Sequence, residues 1–167
     1  MFFFAKRYTD FMSLENVKKY LAPFGYDKKI LELPESSATV ALAAQALHTQ
    51  AERIAKTLAF YIEEGPIVVV VAGNCKIDNA KYRHRFGVKA KMIPPAELVQ
   101  TVGHEMGGVC PFAVNEGVKV FLDDSLKAYQ TVFPACGSGN SAIELSIEEL
   151  EKLSAPCEWV SVSKLME

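Results

Sequence analysis

The chain has 167 residues, half of them hydrophobic, and a formal net charge of −2. That composition can bury one substantial core and hardly two, so a single domain over 1–167 is expected. The near balance of charge argues against a protein that coats nucleic acid, and no DNA partner is expected; any RNA contact should be local.

The opening MFFFA run is too short for a secretory h-region, and Lys6, Arg7 and Asp10 follow it at once, so no signal peptide is expected. Ser13 reads as the cap of a helix carrying Leu14, Val17 and Leu21, with Gly25 at its end. KILEL predicts a short strand and TVALAAQAL a helix, while Thr49 and Glu52 have the spacing of a capping box opening one further turn. From Lys56 the pattern changes: KTLAFYIE and PIVVVVAG, joined by EEG, predict a hairpin at the heart of a sheet. The same interruption, Glu63 to Pro66, prevents this apolar stretch from crossing a bilayer, so no membrane association and a cytoplasmic location are expected.

Asp78 is placed to cap the helix NAKYRHRF, which Gly87 stops, and Pro94 and Pro95 suit the start of PAELVQTV. VKVFLDD, YQTVFPA and SAIEL predict strands; Ser146 with Glu149 predicts a capped helix over IEELEKL, and CEWVSV a closing strand. Strands outnumber helices and are joined mostly by short turns. The fold class is therefore α/β in the α+β sense, a curved, barrel-like mixed sheet with helices packed outside.

Several stretches invite chemistry. In VGHEMGGVCPF, His104-Glu105 resembles the start of HExxH, but Gly108 stands where the second histidine belongs, and a helix would not run through Gly107-Gly108. Cys75, Cys110, Cys136 and Cys157 are scattered without CxxC, which predicts reduced thiols and no metal site. Cys110 reads as a small core residue before it reads as a nucleophile. ACGSGNSA matches GxGxxA, yet strand follows where a dinucleotide site needs a helix, so it predicts a strand-to-strand loop able to offer backbone N–H groups and Ser138. Lys56 falls on the apolar side of its strand with Leu58, Phe60 and Ile62; it either lines a cleft or snorkels from a strand end. Lys76, Lys81, Arg83, Arg85, Lys89 and Lys91 face the single acid Asp78, which makes a solvated helix face or a phosphate-binding patch.

Taken in order, RIAKTLAF, VVVVAGNCKIDNAKYRHRFG, GHEMGGVCPFAV and VKVFLDDSLKAYQTVFPACGSGNSAIELSIEELEKL resemble the YbaK/EbsC/ProX-type aminoacyl-tRNA deacylases, also seen as the editing insertion of bacterial prolyl-tRNA synthetases. The resemblance runs over about residues 36 to 155. It implies a hydrolase that removes a small mischarged amino acid, such as cysteine or alanine, from tRNA-Pro in trans, with aminoacyl-tRNA and a synthetase as partners and no cofactor. It assigns catalytic roles to Lys56, Gly107 and Gly108 and substrate contacts to Asp78, Cys110, Pro111, Gly137 and Ser138; with RNA as substrate, the basic segment offers Lys81, Arg83 and Arg85 as tRNA contacts. His104 and Glu105 then read as loop-surface residues. One departure stands out: many relatives have glycine where this chain has Ala113, and a positive φ there would strain alanine. The rival reading is a non-catalytic module that binds tRNA or a synthetase or regulates it; retention of Lys56 beside the two-glycine loop favours the enzyme.

Overall fold

A computed structural model describes the backbone of residues 2–167 and the side chains from Tyr8 onward, so Met1 and the side chains of the MFFFA run, Lys6 and Arg7 lie outside the described residues. The first helix, α1, spans Phe2–Leu21. Ser13 therefore sits inside α1 and caps nothing, because the helix extends well upstream of it. Leu14, Val17 and Leu21 are buried as their spacing predicts. Gly25 adopts φ +80 and closes a 3-10 turn that continues the helix.

Strand β1 covers Leu31–Glu32 and helix α2 Val40–Ala46, whose first turn is held by the Thr39 side chain accepting from Leu42 N–H. The turn at Ala51–Arg53 forms without the predicted Thr49–Glu52 capping box; the Thr49 hydroxyl accepts from Arg53 instead. Strands β2, Ile54–Ile62, and β3, Gly65–Ala72, make the predicted antiparallel hairpin. Strand β4, Cys75–Ile77, leads to helix α3, Asn79–Phe86, where Asp78 accepts from the N–H groups of Ala80 and Lys81 and Gly87 closes the far end at φ +78. A 3-10 turn from Pro95 runs into α4, Leu98–Thr101.

Next come β5, Lys119–Asp123, and β6, Thr131–Pro134. SAIEL divides into two short strands, β7 (Ser141–Ala142) and β8 (Leu145–Ser146). Helix α5, Ile147–Ser154, carries the complete Ser146–Glu149 capping box, and β9 (Cys157–Val160) and β10 (Ser163–Leu165) close the described chain. β4 and β10, which pair with each other, are too short to leave an alternation in the sequence.

The main sheet has the order β8-β6-β2-β3-β5-β9 and is mixed: β2–β3 and β6–β8 are antiparallel, the other pairs parallel. It is strongly curled into a half-barrel. Both faces are covered, which is why β3 reads as an unbroken VVVV. Val68, Val70, Val120 and Leu122 pack with α1 and α5, whereas Val69, Val71 and Phe121 pack under Tyr82 and Phe86 of α3.

The pairing of β2 is interrupted along one side. Ile54 and Ala55 pair with β6, and farther on Phe60 bridges Met92, with Ala59 O accepting from Ile93 N–H. Between these stretches Lys56–Leu58 has β3 on one side and no strand on the other. The site lies at this break in the sheet.

Candidate active site

A cavity of about 440 Å³ opens at the unpaired edge of β2. That is within the range of small-molecule sites. Its walls come from Ala55–Ala59 of β2, from Ser37–Val40 before α2, from Met92–Pro95, from Met106, Gly107 and Val109, and from Ala135 and Ala142. Most of the lining is apolar, so the few polar groups stand out.

Lys56 is the cationic one. It is half-buried, and its side chain makes no ion pair or hydrogen bond with another described residue. Burial pushes its pKa below the ordinary value of 10.5, opposed by the neighbouring Cys75. Of the two readings of this lysine, cleft-lining describes its place. Its face of β2 does carry Leu58, Phe60 and Ile62 against the α3 side of the sheet.

The two glycines differ. Gly107 lines the cavity at φ +96, which alanine would not adopt without strain, and its N–H makes no hydrogen bond to another described residue. Gly108 is buried behind it and its N–H donates to Glu105 O at 3.0 Å, so it is not a free donor for a ligand. What Gly108 supplies is the absence of a side chain: a Cβ there would lie 2.4 Å from Gly137 C and O and 2.7 Å from Ser138 N. The two glycine loops are pressed together.

The other sequence-stretch assignments sort themselves by burial. The Gly137–Asn140 loop connects β6 to β7, with no helix following, so the dinucleotide pattern is indeed a strand-to-strand loop. Gly137 and Ser138 do not reach the cavity. The Ser138 hydroxyl is turned inward onto Ser141 Oγ (2.7 Å) and Asn140 Oδ1 (3.0 Å), and its N–H goes to Ser141 Oγ, which corrects the expectation that they are offered to a ligand. Cys110 is fully buried and Pro111 buried with it, one layer behind the wall rather than in it. Burial pushes the Cys110 thiol up to about 12, which removes it as a nucleophile. Asp78 spends its carboxylate on the cap of α3; the backbone N–H of Lys81 holds its pKa below the usual carboxylate range.

His104 is not a surface residue. It is wholly buried, and burial pushes its pKa down. Its Nε2 stands 2.7 Å from Phe112 O, an acceptor, so Nε2 carries the proton; Nδ1 then accepts from the Ser13 hydroxyl. Ala113 takes φ +53, a left-handed conformation that glycine adopts freely and alanine only with strain.

On α3, Lys81 donates to Ser163 O at 2.9 Å, and Arg85 pairs with Glu158 at 2.8 Å while lying over Phe86 and Phe121. These two cations tie the C-terminal strands to the helix. Arg83 is exposed, and its side chain makes no ion pair or hydrogen bond with another described residue. Sequence reasoning missed the Ser37–Val40 and Met92–Pro95 walls. The signal available was apolar residues stranded in polar loops: Met92 and Met106 are more than half exposed at the cavity.

Such a curled mixed half-barrel, whose central strand β2 is unpaired on one side at a largely apolar pocket lined by Lys56 and Gly107, belongs with one family of known domains. The sequence profile of that family, the aminoacyl-tRNA editing domain, matches residues 34–153, and the chain belongs to it. The chain is 46% identical to the uncharacterized protein YwhH of Bacillus subtilis (strain 168), over 92% of this chain and 98% of that one. It is 27% identical to the proline–tRNA ligase of Listeria welshimeri serovar 6b over 64% of this chain, which spans only 21% of the ligase. A crystal structure described as a candidate trans-editing enzyme for prolyl tRNA synthetase superposes with a TM-score of 0.82 at 28% identity, covering 91% of this chain and 97% of that chain. Among the described residues no helix is long and apolar enough to cross a membrane.

Proposed function

We propose that the protein is a trans-editing hydrolase that cleaves the ester between a small, wrongly attached amino acid and tRNA, with tRNA-Pro as the cognate RNA. The observation that carries this reading is the joint presence, in one largely apolar cavity, of a half-buried Lys56 with no protein partner and a Gly107 N–H with none. The likeness to proline–tRNA ligases and to the trans-editing structure supports the choice of RNA.

An aminoacyl ester is already activated, so positioning and charge stabilisation suffice. Water, or the substrate's own thiol in a cysteinyl ester, adds to the carbonyl carbon. Negative charge develops on the carbonyl oxygen, where the Gly107 N–H can donate, and the ribose oxygen then leaves with a proton. Lys56 orients the acceptor end and offsets the developing charge. Arg83 is the cation of α3 left available for phosphate. A pocket of fixed walls excludes larger amino acids more readily than smaller ones.

The test is single-turnover hydrolysis of tRNA charged with cysteine, alanine, serine or proline, by wild type and by Lys56→Ala. Wild type should hydrolyse at least one mischarged tRNA and spare the prolyl ester, and Lys56→Ala should lose roughly 3 to 4 kcal/mol of barrier lowering with its circular dichroism unchanged. Lys56→Arg keeps the charge on a bulkier, planar group and should not restore the rate. Tight tRNA binding without turnover would make the protein a binding module instead.

A further inference from the structure

Helix α1 precedes residues 34–153, the span of the editing-domain family, yet its middle is built into the back of the pocket. Ser13 is 3% exposed. A serine inside a helix ordinarily turns its hydroxyl to its own helix or to water. Here it donates across 91 positions of sequence to His104 Nδ1. The same imidazole donates from Nε2 to Phe112 O, so one ring ties residue 104 to residue 112, the two ends of the loop that holds Gly107 and Gly108.

A second, independent line of contact follows the backbone. A Cβ on Gly137 would lie 2.7 Å from Ser13 Oγ, 2.8 Å from Ser13 O and 2.9 Å from Ser13 C, so the Gly137 turn rests directly on α1. Gly108 rests in turn on Gly137. The order of layers is α1, Gly137, Gly108, cavity. Leu14, Val17 and Leu21 anchor α1 in the main core directly C-terminal to this contact.

We infer that α1 is a working part of the site, and that Ser13 and His104 are positioning residues which hold the Gly107–Gly108 loop in its reactive place. Neither touches substrate. They act by fixing where the Gly107 N–H points, and a hydrogen bond made in a dry interior does this with little slack. This inference rests on the editing reading for its catalytic consequence, while its structural consequence can be measured without it.

The test uses the full chain with Ser13→Ala, which removes one hydroxyl and leaves a strong helix former in α1. Amide hydrogen exchange over residues 105–109 should speed up about tenfold, with exchange in β2 and β3 unchanged. With mischarged tRNA, kcat should fall about tenfold and KM stay within about twofold, since the pocket walls that bind substrate are intact. His104→Gln, whose amide can both donate and accept, should retain more activity than His104→Leu; if His104→Leu does not fold, Ser13→Ala decides alone. Ser13→Ala with wild-type loop exchange and wild-type kcat would overturn the inference, as would a loss of melting temperature alone. If wild type hydrolyses no mischarged tRNA, the editing reading fails, and the exchange measurement still decides whether α1 holds the loop.

Discussion

Replacing Gly108 by alanine tests whether contact between the two glycine loops sets the pocket. The added Cβ would stand 2.4 Å from Gly137 C and O, whereas ordinary van der Waals contact begins near 3.4 Å, so the loops must part by about 1 Å. Both obstructing atoms are backbone, and behind Gly137 lies the backbone of Ser13, so the cheaper movement is that of the Gly107–Gly108 loop toward the cavity. Overpacking of this kind costs about 1–3 kcal/mol of stability, or roughly 2–12 °C of melting temperature in a chain of this size. Misplacing a catalytic group by 1 Å costs on the order of 10²-fold in rate, about 2.7 kcal/mol of barrier. The assay is single-turnover hydrolysis of mischarged tRNA, well below both melting temperatures, so that folded protein is compared with folded protein. Gly139→Ala is the control: its Cβ would meet only Ala38 Cβ at 3.7 Å, an ordinary contact, and its backbone φ is not in the left-handed region. Gly108→Ala with the wild-type rate, or an equal loss in Gly139→Ala, would refute the reasoning.

The pH dependence of the reaction follows from Lys56. Burial disfavours its charged form, so as pH rises the proton leaves below the ordinary 10.5, and the rate above spontaneous ester hydrolysis should fall on an alkaline limb below that value; a limb at 10.5 or higher contradicts a half-buried catalytic ammonium. The same linkage works on stability, because folding is opposed while the lysine is protonated: Lys56→Met should melt higher at neutral pH while losing activity, and a lower melting temperature would count against it. Cys110→Ser should keep most activity, since a thiol held near 12 supplies no thiolate at neutral pH; a loss of about three orders of magnitude would establish thiol catalysis. Arg83→Glu should weaken tRNA binding and reduce its salt slope by about 1, as one phosphate contact releases fewer counterions; an unchanged slope places the RNA on another face.

Much of the architecture was readable from local patterns. The hairpin of β2 and β3, the Asp78 and Ser146–Glu149 caps, the Gly87 stop and the rejection of a helix after Gly139 all depend on residues within about four positions of one another. Lys56 could be singled out because an amine among Leu58, Phe60 and Ile62 violates the alternation around it. Local patterns misled where distant packing intervened. Ser13 has the chemistry of a cap, but the helix continues through it and its hydroxyl is used 91 residues away. His104 has the polarity of a loop residue, but two hydrogen bonds satisfy it in the core. Alanine at position 113 is strained only at a positive φ, and the structure supplies one, +53.

The sequence by itself determined the elements, the two-faced burial of the central strand and the lysine that stands out of pattern, because caps, turns and alternation act over one or two turns of chain. Only the tertiary structure decided that Gly107 faces the cavity while Gly108 packs on Gly137, that Cys110 and Ser138 lie behind the wall, and that Lys81 and Arg85 are spent on Ser163 and Glu158. It also located the pocket, which exists because β6 and the Met92 segment pair with different parts of β2 and leave Lys56–Leu58 with no strand on the side away from β3. A gap between strands is a property of three segments far apart in sequence, and no run of residues in any one of them encodes it.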